Sequence, residues 1–170
     1  MSFLRALCTP LFVTLLAGVG ASISPLNALL VNADTAKVTG EDNLLAGKPT
    51  KASTEESNKN NFAPKAVDGD LRTRWCASGP RSGDWLQVDL GKQEHVRSLL
   101  IHWADNAAYR YKIDASADGE AWKTIVDQSE NKKVERIAGH QVDALETKFL
   151  RVTYFGSSTG GWASFWEVEA

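Results

Sequence analysis

The feature that most constrains the fold of this chain is a series of short strand-like runs, each closed by residues that favour turns. In the run 85–90 (WLQVDL), Leu86, Val88 and Leu90 alternate with Trp85, Gln87 and Asp89, which places the two sets on opposite faces of a strand. Similar runs occupy residues 96–103, 109–116, 122–126 and 149–155. No long stretch repeats apolar residues at a helical spacing. The pattern predicts an all-β fold.

Turn signals indicate how these strands are connected. Asp118-Gly119, between the runs 109–116 and 122–126, is a strong hairpin signal. Many short strands at this spacing, in about 130 residues, are typical of an antiparallel β-sandwich or jelly roll. Residues 51–64 are rich in Ser, Asn, Glu and Lys and predict a long, structureless surface loop.

Residues 1–33 are predicted to be a signal peptide. Arg5 provides a positive start, residues 6–20 are mostly apolar without a charge, and residues 31–33 (VNA) fit the small-x-small rule for cleavage. A transmembrane anchor is the alternative, but prolines and glycines interrupt a run that falls short of the roughly 20 apolar residues a span needs. We therefore expect a secreted or extracytoplasmic protein, in which residues 34–42 form a short linker.

The charge of the chain limits the classes of partner that it can bind, and its cysteine content limits the disulfides that it can form. Loss of the signal peptide would change the net charge from −2 to −3, because Arg5 is its only charged residue. This balance lacks the basic surface that nucleic-acid binding requires. Cys76 would remain as a single cysteine, so no internal disulfide is expected. A buried small apolar role is favoured for it over a reactive thiol.

Six motifs, in order along the chain, resemble one known family. They are residues 43–47 (NLLAG), 66–75 (AVDGDLRTRW), 85–91 (WLQVDLG), 111–119 (YKIDASADG) with Trp122, 150–152 (LRV) and 166–169 (WEVE). The order resembles the coagulation factor 5/8 type C, or discoidin, domain, and within it the family 32 carbohydrate-binding modules of secreted bacterial enzymes. The resemblance covers residues 43–170. It implies a jelly-roll β-sandwich of the galactose-binding-domain type, without catalysis, whose loops cluster at one end.

The resemblance also implies a structural calcium ion. Asp68, Asp70 and Thr73 offer the oxygen ligands that Ca²⁺ prefers. By the family's motif, Asp68 binds through its side chain, and Thr73 through its hydroxyl and carbonyl oxygens. The backbone carbonyls of Lys65 and Asp70 add to these, and Glu167 closes the site from the last strand. An Asx turn without metal is the alternative interpretation of the Asp-Gly-Asp sequence.

Candidate sugar-binding residues lie in two other loops. Sugar recognition needs an aromatic face and planar polar groups that bridge hydroxyls. Trp162 follows the polar loop 156–161, and a second loop spans 104–108. We predict ligand contacts by Trp162, Asp105, Asn106 and Arg110, with Trp103 and Tyr109 as further candidates.

These residues are not accompanied by an enzyme signature. Residues 156–160 (GSSTG) match the nucleophile-elbow pattern only formally, because no histidine follows His140. We expect a calcium-stabilised module that binds a glycan and accompanies a glycan-active enzyme or another surface protein. A protein or cell-surface adhesion domain is the alternative, and a structural spacer is a third reading. The side chains of the loops are mostly small and polar, which argues against a membrane as the partner.

Overall fold

The computed structural model describes residues 43–170, and the predicted signal peptide (1–33) and linker (34–42) lie outside them. Within the described residues, seven β-strands and two 3-10 helices follow one another. In chain order they are β1 (Thr50–Ala52), the 3-10 helices Ser57–Lys59 and Ala63–Ala66, β2 (Trp75–Cys76), β3 (Trp85–Ala107), β4 (Tyr109–Ser116), β5 (Lys123–Gln128), β6 (Glu135–Ser157) and β7 (Ser164–Glu169).

The two longest strands, β3 and β6, form one antiparallel ribbon at the centre of the strand order. The first part of β3 also pairs with β1, and its last part pairs with β7. The ladder shifts register between Asp89 and Glu94, where Gly91 has a φ of 86° that glycine adopts without strain. The strands β4 and β5 extend the ribbon beyond β6, and β2 extends it beyond β7. This is the predicted antiparallel jelly-roll sandwich.

The predicted strand runs agree with this architecture, with two differences. The runs 85–90 and 96–103 are parts of the continuous strand β3, and the run 109–116 is β4. The hairpin at Asp118-Gly119 is confirmed, since the Asp118 carboxylate accepts the backbone N–H groups of Glu120 and Ala121. Residues 51–64 are not a structureless loop, because they hold the end of β1 and two 3-10 turns.

Large aromatic side chains form the centre of the sandwich. Trp75, Trp103, Tyr109, Tyr111 and Phe165 are all fully buried, and the Trp103 ring contacts three of the others. Cys76 is also buried, as predicted, and burial raises the pKa of its thiol. Such burial contributes about 1.5–3 kcal/mol for each large apolar side chain.

The beginning and the end of the described chain are joined by hydrogen bonds. The Leu44 N–H group donates to the Ala170 carbonyl oxygen at 2.8 Å. The Asn43 carboxamide oxygen accepts the N–H groups of Leu45 and Ala170 at 3.0 and 3.2 Å. Residues 43–45 and Ala170 therefore lie side by side at one end of β7.

Candidate functional site

Three loops meet at the end of the sandwich where β7 begins, and hydrogen bonds hold each in place. The loop that follows β1 is held by Asp84, whose carboxylate accepts the hydroxyls of Ser53 and Thr54 at 2.7 and 3.2 Å. The predicted loop 104–108 is instead the end of β3, with Ala108 as its turn into β4. Two bonds of 3.0 Å between Ala108 and Ser158 join this turn to the loop between β6 and β7. The Tyr154 hydroxyl donates to the Gly161 carbonyl, which fixes the residue before Trp162.

The three loops enclose a shallow cleft, which we call the Trp162 cleft. Its volume is about 190 Å³, and its walls are formed by Glu56, Lys59, Arg74, Cys76, Asp105, Trp162 and Ser164. The Trp162 side chain is 38% exposed, and it is the only large aromatic residue of the cleft. The cleft thus combines one accessible indole with carboxylate, ammonium and guanidinium groups.

Glu56 is the buried charge of this cleft. Its carboxylate accepts the Asn61 amide at 2.7 Å and forms an ion pair with the Lys59 ammonium at 2.8 Å. The hydrogen bond from Lys59 holds the pKa of Glu56 below its ordinary value, although burial opposes this shift. The Glu56 N–H group also donates to the Cys76 carbonyl at 2.8 Å, so the loop is fastened to β2. Glu56 is consequently ionised and rigidly positioned.

The predicted ligand residues divide into two groups. Trp162 and Asp105 line the Trp162 cleft together, and Asn106 is exposed beside Asp105 but does not line it. Arg110 lies on β4 opposite Gly156, where a Cβ atom would clash with its guanidinium. The Arg110 side chain therefore covers Gly156 and lies outside the cleft.

Trp103 and Tyr109 require a correction. Their side chains are 1% and 2% exposed, and their rings stack on each other inside the core. A buried ring cannot stack on a sugar that arrives from solvent, so these two residues support the loop from beneath. The Tyr109 hydroxyl accepts the N–H group of Asp105 at 3.2 Å.

The sequence did not predict five residues of the cleft, namely the charged residues Glu56, Lys59 and Arg74 and the smaller residues Cys76 and Ser164. Glu56 and Lys59 lie in the segment that was predicted to be a structureless loop. The only available signal was the spacing of Glu56 and Lys59, an i, i+3 pair of opposite charges in one turn.

Four of the residues predicted to hold calcium, Asp68, Asp70, Thr73 and Glu167, are brought together by hydrogen bonds at the turn 68–73. The Asp68 carboxylate accepts the Thr73 hydroxyl at 2.6 Å and the Asp70 N–H group at 2.9 Å. Glu167 reaches the same turn from β7, and its Oε1 atom accepts the Gly69 N–H group at 3.2 Å. The Asp70 carboxylate instead receives the Arg72 guanidinium through two bonds of 2.8 and 2.9 Å.

Glu167 has the most unusual environment of this group. Its side chain is 2% exposed, and its Oε2 atom has no hydrogen-bond partner among the described residues. Burial and the charges of Asp68, Glu169 and Asp70 together raise the pKa of Glu167 to about 7, although the hydrogen bond from the Gly69 N–H group lowers it. Such an orphaned carboxylate oxygen fits a cation.

The carboxylates around Glu167 are too few to form a metal site without other ligands. Within residues 43–170, no three His, Cys, Asp or Glu side chains stand close enough to hold a metal ion. A cation between Asp68 and Glu167 would therefore need the Thr73 hydroxyl and backbone carbonyl oxygens, which Ca²⁺ accepts and softer metals do not favour.

The match to a family model shows to which family this chain belongs. The model of the F5/8 type C domain matches residues 49–168, which include both groups of residues described above. The chain belongs to the F5/8 type C domain family. The matched part is therefore a binding domain.

Curated relatives share this F5/8 type C domain and are much longer. Neuropilin-1 of Mus musculus is 32% identical over 97 residues, which are 48% of this chain and 10% of that protein. The polysaccharide lyase 8 family protein HylA of Enterococcus faecalis is 34% identical over 92 residues, which are 52% of this chain and 7% of that protein. The chain thus spans a tenth or less of the length of these relatives.

Solved structures of similar size are carbohydrate-binding modules. Chitosan-binding module 1 of a chitosanase/glucanase from Paenibacillus sp. IK-5 has a TM-score of 0.68 and 27% identity, over 75% of this chain and 96% of that module. The module CBM32 of AlyQ, in complex with 4,5-unsaturated mannuronic acid, has a TM-score of 0.60 and 26% identity, over 71% of this chain and 92% of that module. In the part of our F5/8 type C domain that the structure describes, no helix is long and apolar enough to cross a membrane.

Proposed function

We propose that this F5/8 type C domain is a non-catalytic glycan-binding module and that the Trp162 cleft is its binding site. The observation that carries the proposal is the placement of an accessible indole beside fixed polar groups. Trp162 shares the cleft with Asp105 and Arg74, and Tyr154 and Tyr109 anchor the loops that carry Trp162 and Asp105. A preorganised loop loses little conformational freedom on binding, which favours affinity for a small sugar.

The chemistry of the cleft suits a pyranose ring. The indole offers an apolar face for the C–H side of the sugar, and carboxylate and guanidinium groups form paired hydrogen bonds with neighbouring hydroxyls. A shallow cleft of about 190 Å³ accommodates one sugar residue at the end of a chain or along it. We therefore expect modest affinity and fast exchange.

The solved relatives support a glycan ligand without specifying it. One is described as a chitosan-binding module and another as a complex with an unsaturated mannuronic acid. The first ligand is an amino-sugar polymer and the second is a uronic acid, so the fold alone does not determine the charge of the sugar. The full-length relatives include a polysaccharide lyase, which supports the expectation that such a module accompanies a glycan-active enzyme.

Calcium is proposed as a structural ligand of the same module. Asp68, Thr73 and Glu167 would hold it through side-chain oxygens, with the backbone carbonyls of Lys65 and Asp70. The support is the buried Glu167 carboxylate, whose Oε2 atom lacks a partner. Bound Ca²⁺ would supply positive charge between β7 and the turn 65–73. Export through the predicted signal peptide would bring the module to an environment where both calcium and glycans are available.

A glycan array followed by calorimetry tests this proposal. We expect the protein, in buffer with calcium, to bind at least one glycan class, and Trp162→Ala to reduce the affinity about tenfold through loss of the stacked face. Phe62→Ala is the matched control, because Phe62 is 36% exposed and lines neither this cleft nor a neighbouring one. The absence of binding by a folded protein would refute the proposal and favour protein adhesion.

A further inference from the structure

A second cleft adjoins the Trp162 cleft and differs from it in charge. We call it the Trp166 cleft. Its volume is about 440 Å³, and its lining includes four cationic side chains, one amide and one indole, namely those of Lys59, Lys65, Arg72, Arg74, Asn61 and Trp166. No carboxylate lines it, whereas Glu56 and Asp105 line the Trp162 cleft.

Two of the four cations are not neutralised by a partner. Lys59 is paired with Glu56, and Arg72 is paired with Asp70. Lys65 and Arg74 form no salt bridge within residues 43–170, and both side chains are half-buried. Unpaired charges that are partly shielded from water attract an anion more strongly than freely solvated ones. The Trp166 cleft therefore has a net positive charge in a fixed place.

Arg74 is also held in a defined position. Its guanidinium lies 5.3 Å from the centre of the Trp166 ring, within the range of a cation–π interaction. A planar guanidinium donates two parallel hydrogen bonds to a carboxylate, and a positioned one loses less side-chain entropy when it does so. The indole beside it can pack against the sugar that bears the carboxylate.

The two clefts are continuous, because Lys59 and Arg74 line both. Trp162 and Trp166 are four residues apart, so their Cα atoms are separated by at most about 14 Å. One glycan chain can therefore reach both indoles with different sugar residues. The first cleft has polar groups of both charges, and the second has only positive ones.

We propose that the Trp166 cleft binds the carboxylate of a uronic acid residue, in a glycan whose neighbouring residue occupies the Trp162 cleft. This inference rests on the proposed glycan-binding function and specifies its substrate class as acidic polysaccharides. Arg74 and Lys65 receive the carboxylate, and Trp166 packs against the ring. Lys65 acts here through its ammonium group, whereas its proposed role toward calcium uses the backbone carbonyl.

The test compares glycans that carry a charged carboxylate with the same glycans as neutral methyl esters. Trimers of galacturonate and of mannuronate, each beside its methyl ester, are titrated calorimetrically in calcium; short oligomers avoid gels. We expect the acid form of at least one trimer to bind about tenfold more tightly than its ester, with the difference shrinking between about 50 and about 500 mM salt. The double variant Lys65→Gln/Arg74→Gln is expected to lose this difference. Lys65→Gln alone, which leaves the lining of the Trp162 cleft unchanged, is expected to reduce the difference and to keep the affinity for the ester.

Controls separate the possible failures. Lys123→Gln, an exposed lysine at the start of β5, should leave the preference intact, and thermal unfolding should show that the double variant is folded. Equal binding of acid and ester, or a preference that survives in the double variant, would overturn this inference alone. Equally tight binding of a sulfated trimer would overturn the uronate assignment. A protein that binds none of these trimers and no chitotriose would overturn the proposed function as well.

Discussion

The indole of Trp103 and the phenol ring of Tyr109 are stacked, with centroids 4.0 Å apart and planes inclined by 8°. These residues flank residues 104–108, which form the end of β3 and its turn into β4, so the stack closes the base of that turn. The Tyr109 hydroxyl then accepts the Asp105 N–H group at 3.2 Å. A buried aromatic pair therefore sets the position of a residue in the Trp162 cleft.

Tyr109→Phe is expected to loosen that turn without disrupting the core. Loss of one hydrogen bond should lower the free energy of unfolding by about 1 kcal/mol and weaken glycan binding about fivefold. Tyr111→Phe is the matched control, because Tyr111 also packs on Trp103 but its hydroxyl contacts His140. Calorimetry and urea unfolding measure both variants. Similar affinities for the two variants would contradict the role of Tyr109.

Calcium is expected to stabilise the protein through Glu167. A ligand at about a hundred times its dissociation constant adds about 2.7 kcal/mol to the free energy of unfolding. Chelation should therefore lower Tm, and Glu167→Gln should remove the response. In chelator the variant should be at least as stable as the original, because it lacks the buried carboxylate whose Oε2 atom has no partner among the described residues. The exposed residue Glu130 provides the control, Glu130→Gln, in differential scanning calorimetry. A Tm insensitive to calcium would exclude the site.

Arg151 is expected to contribute more to stability than an ordinary surface arginine. Its guanidinium lies 3.9 Å from the centre of the Trp122 ring and 4.6 Å from that of Trp85, and it donates to the Gln87 amide oxygen at 2.7 Å. Arg151→Lys loses the planar contact with both rings and should cost about 1–2 kcal/mol in urea unfolding. Arg97→Lys, at an exposed position of β3, should cost little. Equal losses would show that the stack is not stabilising.

His140 is expected to make the free energy of unfolding decrease in weak acid, while Glu167, with its raised pKa, acts in the opposite direction. Burial lowers the pKa of His140 below 6.5, and its Nε2 atom is 2.7 Å from the Tyr111 hydroxyl. Between 6.5 and the lower folded-state pKa, the unfolded chain binds more protons, so the free energy of unfolding decreases as the pH falls through this window. Unfolding in urea at several pH values should show a smaller decrease for His140→Gln. The exposed His95 gives the control His95→Gln, and an unchanged slope in the His140 variant would contradict this account.

The fold could be predicted because its information is local. Alternation in the run 85–90 and the Asp118-Gly119 turn both act within a few residues, and the structure contains them where expected. The continuity of β3 could not be predicted, because a glycine such as Gly91 usually marks the end of a strand. In the structure its positive φ bends the strand, and pairing with β6 resumes at Glu94.

The site was predictable only in part, because long-range contacts build it. Trp162 and Asp105 were found from loop positions, but Glu56 enters the cleft through its backbone bond to Cys76, 20 residues away. Trp103 was placed at the start of a loop, but β3 continues to Ala107, and Trp103 keeps the alternation of the buried residues Leu99 and Ile101. The length of β3 depends on its pairing with β6 and β7, which the local sequence does not contain.

The hydrogen bond between Leu44 and Ala170 holds the two ends of the described chain side by side, so the path of the backbone is almost a closed ring. A short peptide can join these two points, and the chain can be reopened in an exposed turn, such as that between β4 and β5, with the sandwich retained. Because β7 runs about 17 Å from Ser164, in the Trp162 cleft, to Glu169, a peptide that joins Leu44 to Ala170 would lie at the end of β7 away from the cleft and leave it open.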